Sequence, residues 1–499
     1  SKASPTREAH TESRYVEAPS VRRSRSTGGL ENKRPSASLL LLVVATVAFF
    51  GACAMLLIGP RSSDGRTPPQ PSTIRVAATD DGVLPHRRRN ISNPKREEGF
   101  RAYQQGHWTE AVAALDKAVA LCPDDAEAHI LSENAHVRAS GRPFVSIPYI
   151  GTSSGVDGPE AYAHLYGLAL GQAAVNGRGG IHGRKVVLDC YDDESSTARC
   201  LKIARSLNAN PAVLVVLGPT NSQRTLAVAP LFNVAHVNAI SPTASAAAVW
   251  EAGPYTFTAS DARDPRLREL ARYVTRHAHP RIVIISRSTM RLSLEMARMF
   301  ETEATSLGAT CLQGPPSPED ARDFTPQVEF VKSAAPDLVF LSEYRAAPIA
   351  RFAIALRQAG LQTPICTQAV PFASDLVDLG GSNVDGLLTT EYFHPQIDTP
   401  PMRDFVGAFR RKFGEITPVY ASANAYDAFN AAVEGLDHAT TRETLNAVLR
   451  ATGVTRPAFD GVGGRFALGR RLDARPIRLI EVRGGRYRLL ESTAQEAAK

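Results

Sequence analysis

The 499 residues contain no Walker loop, no Gly-x-Gly-x-x-Gly fingerprint and no His-Glu-x-x-His. The patterns that mark phosphate-cradling, dinucleotide-binding and zinc-protease chemistry are therefore missing. Cysteine is scarce, six in all, and no two form a Cys-x-x-Cys pair. Cys190 and Cys200 are the only close pair, which leaves a local disulfide open. The bulk of the chain also lacks excess positive charge. Of the formal net charge of +7, residues 1–36 hold +4 and residues 61–96 hold +5, leaving −2 from Glu97 onward. A nucleic-acid-binding domain carries its basic charge on its own surface, so no nucleic-acid partner is expected. With 43% hydrophobic and 21% charged residues, wholesale disorder is excluded too.

What is present begins with a stretch free of charge from Pro35 to Pro60, whose heart, Leu39 to Ile58, is almost wholly apolar. Twenty residues at about 1.5 Å per residue reach ~30 Å, the thickness of a bilayer's hydrocarbon core. A buried core helix would need a core to enter, and the flanks are polar and Pro-rich. A cleaved signal peptide would not follow thirty-odd preceding residues. Phe50-Gly-Ala-Cys53 loosely matches a lipobox, yet Ala-Met-Leu-Leu-Ile follows the cysteine. A single retained transmembrane helix over 37–58 is the expectation. Arg22, Arg23, Arg25, Lys33 and Arg34 outnumber Arg61, Arg66 and Arg75, which places the N-terminus in the cytoplasm and the large C-terminal part outside a bacterial cytoplasmic membrane. Residues 1–36 read as a disordered cytoplasmic segment and 59–91 as a Pro/Arg-rich linker. The first residue is Ser, so a processed product or the tail of something longer is expected.

Helical periodicity starts near residue 92. Gly99, Gly106, Ala111, Ala118 and Pro123 fall at the spacings of one tetratricopeptide unit, with Tyr103, Leu115 and Leu121 as its expected core. Ala126–Val137 looks like the first helix of a second unit. Stable arrays need about three repeats, so 92–139 reads as a helical spacer packed on the next domain rather than a peptide-binding array.

From Phe144 short apolar runs alternate with amphipathic helices. Strands are expected at 144–150, 186–191, 212–217 and 236–240, then at 282–285, 310–312, 338–341, 365–367 and 386–390. Helices such as 161–175 and 197–207 lie between them. This alternation gives an α/β fold of parallel sheets with crossover helices, and its length suggests two similar lobes.

Gly151-Thr-Ser-Ser-Gly155 matches the Gly-x-Ser-x-Gly elbow of hydrolases, with Ser153 as nucleophile. It follows the first strand of its domain, however, whereas a hydrolase takes an oxyanion donor from an earlier strand. A binding loop fits better. The loops after the first, third and fourth strands, Thr152-Ser153-Ser154, Thr220-Asn221-Ser222 and Ser241-Pro-Thr243-Ala-Ser245, are all small, hydroxyl-rich and uncharged. Each alone suits helix capping. Three that converge at the carboxyl ends of strands, two of them opening helices, make a carboxylate-sized pocket. No cofactor and no metal are expected.

Asn176-Gly-Arg-Gly-Gly-Ile-His-Gly-Arg-Lys185, Tyr191-Asp-Asp193, Leu217-Gly-Pro219 and Ala239-Ile-Ser-Pro-Thr-Ala-Ser245 together resemble the branched-chain amino-acid type of ABC-transporter solute-binding protein, over about 143–490. The resemblance implies two Rossmann-like lobes joined by three crossovers, closing around an amino acid or similar small ligand. It maps Ser222 and Ser245 onto hydroxyls that hold a ligand carboxylate, with Thr243 contributing backbone. Two departures concern the half that sets ligand identity. Thr367-Gln-Ala-Val370 stands where the family usually places an acid for the ligand ammonium, and Met290-Arg291 where many members carry an aromatic lid. Glu343 and Tyr344 end another second-lobe strand and are candidates to compensate.

The expected function is a membrane-tethered extracytoplasmic solute-binding protein, not an enzyme, that delivers a ligand to an ABC permease or senses it. An α-amino acid is the first expectation, with amides, short peptides and carboxylates behind it. The alternative is a membrane-anchored scaffold whose helical repeat binds a protein partner and whose pocket is degenerate.

Overall fold

In the computed structural model of the protein the described residues are 93–152, 158–261, 264–276, 280–317, 322–368, 374–472 and 475–490. The apolar span 37–58, its flanks and the linker 59–91 lie outside them, as do Ser153 and Ser154. No helix of the described residues is long and apolar enough to cross a membrane.

In the first lobe, five short apolar runs pair side by side: β1 Phe144–Gly151, β2 Lys185–Asp192, β3 Val215–Leu217, β4 Asn238–Ser241 and β5 Thr256–Thr258. All neighbours are parallel, in the order β2-β1-β3-β4-β5. Strands buried on both faces read as continuous apolar runs, which is why four of them are visible in the sequence. The fourth begins at Asn238 rather than His236, because His236 is the left-handed cap (φ 58°) of the helix Ser222–Ala235. β5 has only three residues, too few to stand out from its turns.

The second lobe repeats this order with β6 Arg281–Ser286, β7 Thr310–Gln313, β8 Leu338–Ser342, β9 Ile365–Cys366 and β10 Leu388–Glu391, arranged β7-β6-β8-β9-β10. Two antiparallel strands unanticipated from the sequence, β13 Arg478–Arg483 and β14 Arg486–Leu489, extend the sheet beyond β10. They are joined by Gly484-Gly485 at φ 58° and 70°, the left-handed backbone that a two-residue hairpin loop demands. A small separate hairpin is formed by β11 Phe459–Gly461 and β12 Gly464–Phe466.

The chain crosses between lobes three times. After β5 it enters the helix Asp264–Thr275, whose Leu267 and Leu270 pack with Ile282 and Ile284 of β6. After β10 it returns through Pro400–Phe413 and Tyr420–Leu436; Phe409 and Phe413 pack on Tyr166 of the first-lobe helix Gly158–Gly177. It leaves again after Arg442–Ala451, which is bonded to β4 through Asn446 and Asn238 (3.0 Å). Arg475, in the third crossing, fastens all three. Its Nη2 donates to Ala259 O (2.7 Å), its backbone N–H donates to Asp261 Oδ2 (2.9 Å), and its guanidinium lies 4.7 Å from the Tyr392 ring centre.

The helical segment consists of Pro94–Gln104, Trp108–Leu121 and Ala126–Ala139. Ala111, Leu115 and Ala118 form its buried seam, whereas Leu121 is 70% exposed. Six positions on, Leu121 sits about 120° off the Leu115 direction, so it leaves the core expected of it. Asp125 joins the segment together: its carboxylate takes Arg96 Nη1 (2.9 and 3.0 Å), Asn93 Nδ2 (3.0 Å) and, from Gly158–Gly177, the Tyr162 hydroxyl (3.2 Å). The third helix lies along β2. Asn134 Nδ2 donates to Leu188 O (2.7 Å) and its Oδ1 accepts the Leu188 N–H (3.0 Å). Asn176 repeats the arrangement on Val186, at 2.9 and 2.6 Å.

No disulfide links Cys190 and Cys200; both are free. Cys200 is buried among Ala204, Val216 and Val228, while Cys190 is exposed on the edge strand.

Candidate functional site

Ligands of open parallel sheets bind beyond the carboxyl ends of the strands, where strand order reverses. Those points lie between β1 and β3 in one lobe and between β6 and β8 in the other.

In the first lobe the chain leaves β3 through Gly218 at φ 95°, where a Cβ would stand 2.1 Å from Ile150 O. This turn delivers Thr220, Asn221 and Ser222. Asn221 is a helix cap: its Oδ1 accepts from the N–H groups of Gln223 (2.8 Å) and Arg224 (3.4 Å). Ser222 Oγ accepts the backbone N–H groups of Ser245 (3.1 Å) and Ala246 (3.2 Å), tying the two hydroxyl-rich loops together. Both acceptor positions of that hydroxyl are filled, so what it has left to offer is its hydrogen. Thr243 Oγ1 donates to Thr220 O (2.8 Å) and lies 3.0 Å from Nε2 of the buried His164. With the Thr243 hydrogen committed, His164 must be the donor, which assigns its Nε2–H tautomer.

Beneath these loops lies a buried ion pair. Arg224 Nε is 2.8 Å from Asp193 Oδ2, and Thr152 Oγ1 donates to Asp193 Oδ1 (2.6 Å) while accepting from Arg224 Nη2 (3.1 Å). Burial pushes the Asp193 carboxyl above its ordinary value, against the opposing pull of Thr152 and Arg224.

In the second lobe Glu343 follows β8 directly. Its Oε1 accepts the N–H groups of Tyr344 (3.0 Å) and Arg345 (3.1 Å) and the Arg345 Nε (3.1 Å); its Oε2 accepts Arg287 Nη2 and Arg345 Nη2, both at 2.9 Å. Burial raises its proton affinity, and Arg287 opposes this. Thr367 Oγ1 donates to Glu343 O (2.6 Å), which brings the end of β9 against the end of β8. The next residue, Gln368, is 4% exposed, and neither its Nε2 nor its Oε1 has a hydrogen-bond partner.

The structure thus brings Asn221, Ser222, Thr243 and Ser245 to one switch point and Glu343 and Tyr344 to the other. Tyr344 is half-buried. Met290, partly buried, caps the helix Arg291–Ser306. Sequence reasoning missed the arginines. Arg224, Arg287 and Arg345 are bonded to acids at the switch points, and Arg266 holds Glu391 at 2.8 Å at the end of β10. A signal existed: Ser286-Arg287 and Ser342-Glu343-Tyr-Arg345 set charge directly after apolar strands, at the carboxyl ends where ligands of this fold bind. Among the described residues no group of His, Cys, Asp and Glu is arranged to hold a metal ion.

A sequence model described as periplasmic binding protein matches residues 145–486, more than half of the chain. Another, described as TPR repeat, matches residues 100–131. The Leu/Ile/Val-binding protein homolog 3 of Brucella melitensis is 23% identical over 290 residues, 58% of this chain and 77% of that protein. Among solved structures, the branched-chain amino acid transporter substrate-binding protein LivJ from Streptococcus pneumoniae, in complex with isoleucine, is similar with a TM-score of 0.62 at 19% identity, covering 70% of this chain and 99% of that one. An ABC-transporter solute-binding protein from R. palustris, in complex with benzoate, gives 0.60 at 20% identity over 70% and 95%. These relatives are solute-binding proteins, not enzymes. With the match over 145–486 and the two parallel-sheet lobes that three crossings join, the chain belongs to the periplasmic binding protein family.

Proposed function

We propose that residues 143–490 form an extracytoplasmic solute-binding module that captures a small ligand, an amino acid or related carboxylate, by closure of its two lobes. The ligand is then passed to an ABC permease or sensed. The observation that carries this reading is Ser222: its oxygen is held by two backbone N–H groups, so the hydroxyl hydrogen is fixed at the switch point as a donor. Isoleucine and benzoate, the ligands of two similar proteins, share a carboxylate and little else, so an anchor of hydroxyl donors suits this chain's cleft. Ser245 and the Thr243 backbone complete it.

Residues 37–58 are proposed to tether the module as a single membrane span, with 1–36 cytoplasmic and 59–91 as linker. A reporter active only in the cytoplasm, fused after Lys499, is expected to stay silent; a signal overturns the topology.

Calorimetric titration of Ser222→Ala and Ser245→Ala tests the site. A hydrogen bond to a charged carboxylate contributes about 1.5–3 kcal/mol, so each change is expected to weaken binding by roughly 10- to 100-fold. Unaltered affinity in both variants would remove the anchor and with it the reading.

A further inference from the structure

We propose that this cleft selects small carboxylates whose group beside the carboxylate is neutral, an oxo or hydroxyl group, and rejects α-amino acids. The proposal rests on the solute-binding reading above and narrows its ligand class.

The first argument is a census of acids. An α-ammonium group brought out of water costs several kcal/mol, which a carboxylate offsets best because it supplies both acceptor oxygens and the opposite charge. Among the described residues at the carboxyl ends of the strands, Asp192 ends the outermost strand β2, and the four acids of the inner loops, buried or nearly so, are each already joined to arginine. Asp193 pairs with Arg224 and Asp261 with Arg475. Glu391 pairs with Arg266, and Glu343 with Arg287 and Arg345. Glu343 stands at the second-lobe switch point, where an ammonium would have to be met. A carboxylate offers about four lone-pair positions, and Glu343 already accepts the five bonds described above. It has nothing left to give an ammonium.

The second argument is sign. Two guanidinium groups surround that single carboxylate, so the second-lobe switch point carries an excess positive charge. The first-lobe pair, Asp193 with Arg224, is balanced. An incoming ammonium meets net repulsion across the cleft, whereas a carboxylate meets attraction.

The third argument is Gln368. Buried polar groups nearly always find partners, and an unmatched one calls for an explanation. This amide lies at the end of β9, beside Glu343 through the Thr367 bond, with its donor and its acceptor both unmatched. A primary amide gives an N–H to an oxo group and takes an O–H from a hydroxyl. It therefore suits either neutral substituent, and it has no charge with which to balance an ammonium.

The test compares leucine with 4-methyl-2-oxopentanoate, which has the same carbon skeleton and the same carboxylate and differs only in the oxo group. Calorimetric titration of the full chain in detergent is expected to show the oxo acid binding at least about 100-fold more tightly than leucine, since an ammonium without its counter-charge is the heavier penalty. Leucine binding as well as or better than the oxo acid overturns the inference and leaves the solute-binding reading standing. Silence toward both, and toward benzoate and 4-hydroxybenzoate as well, overturns the solute-binding reading itself. A second arm uses Gln368→Glu, which supplies the missing acid in the same shape. Leucine is expected to gain, and the oxo acid to lose, at least about tenfold each. If that variant does not fold, Gln368→Met is expected to weaken oxo-acid binding about tenfold. Unchanged preference in the folded variant removes Gln368 from the ligand and overturns the inference.

Discussion

The two lobes share a strand order and a rule for where a site must lie, yet they arrive at it with opposite chemistry. The first lobe sinks Arg224 into a balanced pair with Asp193 and presents hydroxyls to the cleft. The second puts two arginines around one acid and leaves an amide unmatched. Repetition of a topology therefore fixes where a ligand sits and says nothing about what each half offers. On the proposed reading, the half that would hold a feature common to many ligands is built of neutral donors, and the half that would distinguish them is built of charge.

Removing Arg224 from the first lobe and Arg287 from the second tests this contrast most strongly. Arg224→Met leaves Asp193 charged and buried with only Thr152 and the Ser195 N–H for support, at an expected cost of about 3–5 kcal/mol. Arg287→Met leaves Glu343 still bonded to Arg345 and two backbone N–H groups, at about 1–2 kcal/mol. Urea unfolding monitored by circular dichroism measures both, and equal costs would erase the distinction.

Asp427 sharpens the contrast from the other direction, because it is a buried acid whose bonds come from the Val462 N–H alone, at 3.0 and 3.1 Å. Burial raises its pKa to about 6, with Arg475 pulling the other way. Below about pH 4 the carboxyl is protonated folded or unfolded. Between about 4 and 6 the unfolded chain releases the proton while the native one keeps it, so stability falls as pH rises and stays lower above 6. Asp427→Asn is expected to abolish that fall, gaining roughly 2 kcal/mol at pH 7.5 relative to pH 4. Melting curves at the two pH values decide it; a variant that follows the wild-type profile would contradict the assignment.

Smaller effects are expected at the cleft surface. Ser222→Ala deprives two backbone N–H groups of their acceptor and is expected to cost about 1–2 kcal/mol of stability besides its effect on affinity. Arg345→Ala removes a guanidinium that is 39% exposed and is expected to cost less than about 1 kcal/mol. Were Arg345→Ala to prove costlier than Arg287→Met, the second lobe would depend on its outer arginine, not its inner one.

The sheets were legible because a strand buried on both faces must be apolar from end to end, as Leu338–Ser342 and Arg281–Ser286 nearly are. β13 and β14 escaped because Arg478–Arg483 and Arg486–Leu489 are thick with arginine, although Gly484-Gly485 between them has the form of a hairpin turn. The hydroxyl loops of the first lobe were readable from three short stretches. Their internal wiring was not: Asn221 is a cap, and Ser222 faces Ser245 across loops 23 residues apart. The pairs of Arg224 and Arg266 were invisible for a simpler reason. In sequence Arg224 or Arg266 looks like any solvated helical charge, and only folding brings Asp193 or Glu391, the latter 125 residues away, to meet it.

β2 is an outermost strand, and outermost strands invite pairing with strands of other molecules, the usual beginning of aggregates and swapped dimers. Asn134 and Asn176 answer the outward N–H and C=O of Leu188 and Val186 as a neighbouring strand would. A second chain approaching that margin finds its ladder already occupied. Replacing Asn134 with leucine, which would leave the Leu188 N–H and C=O free, is expected to increase self-association, and light scattering would detect it.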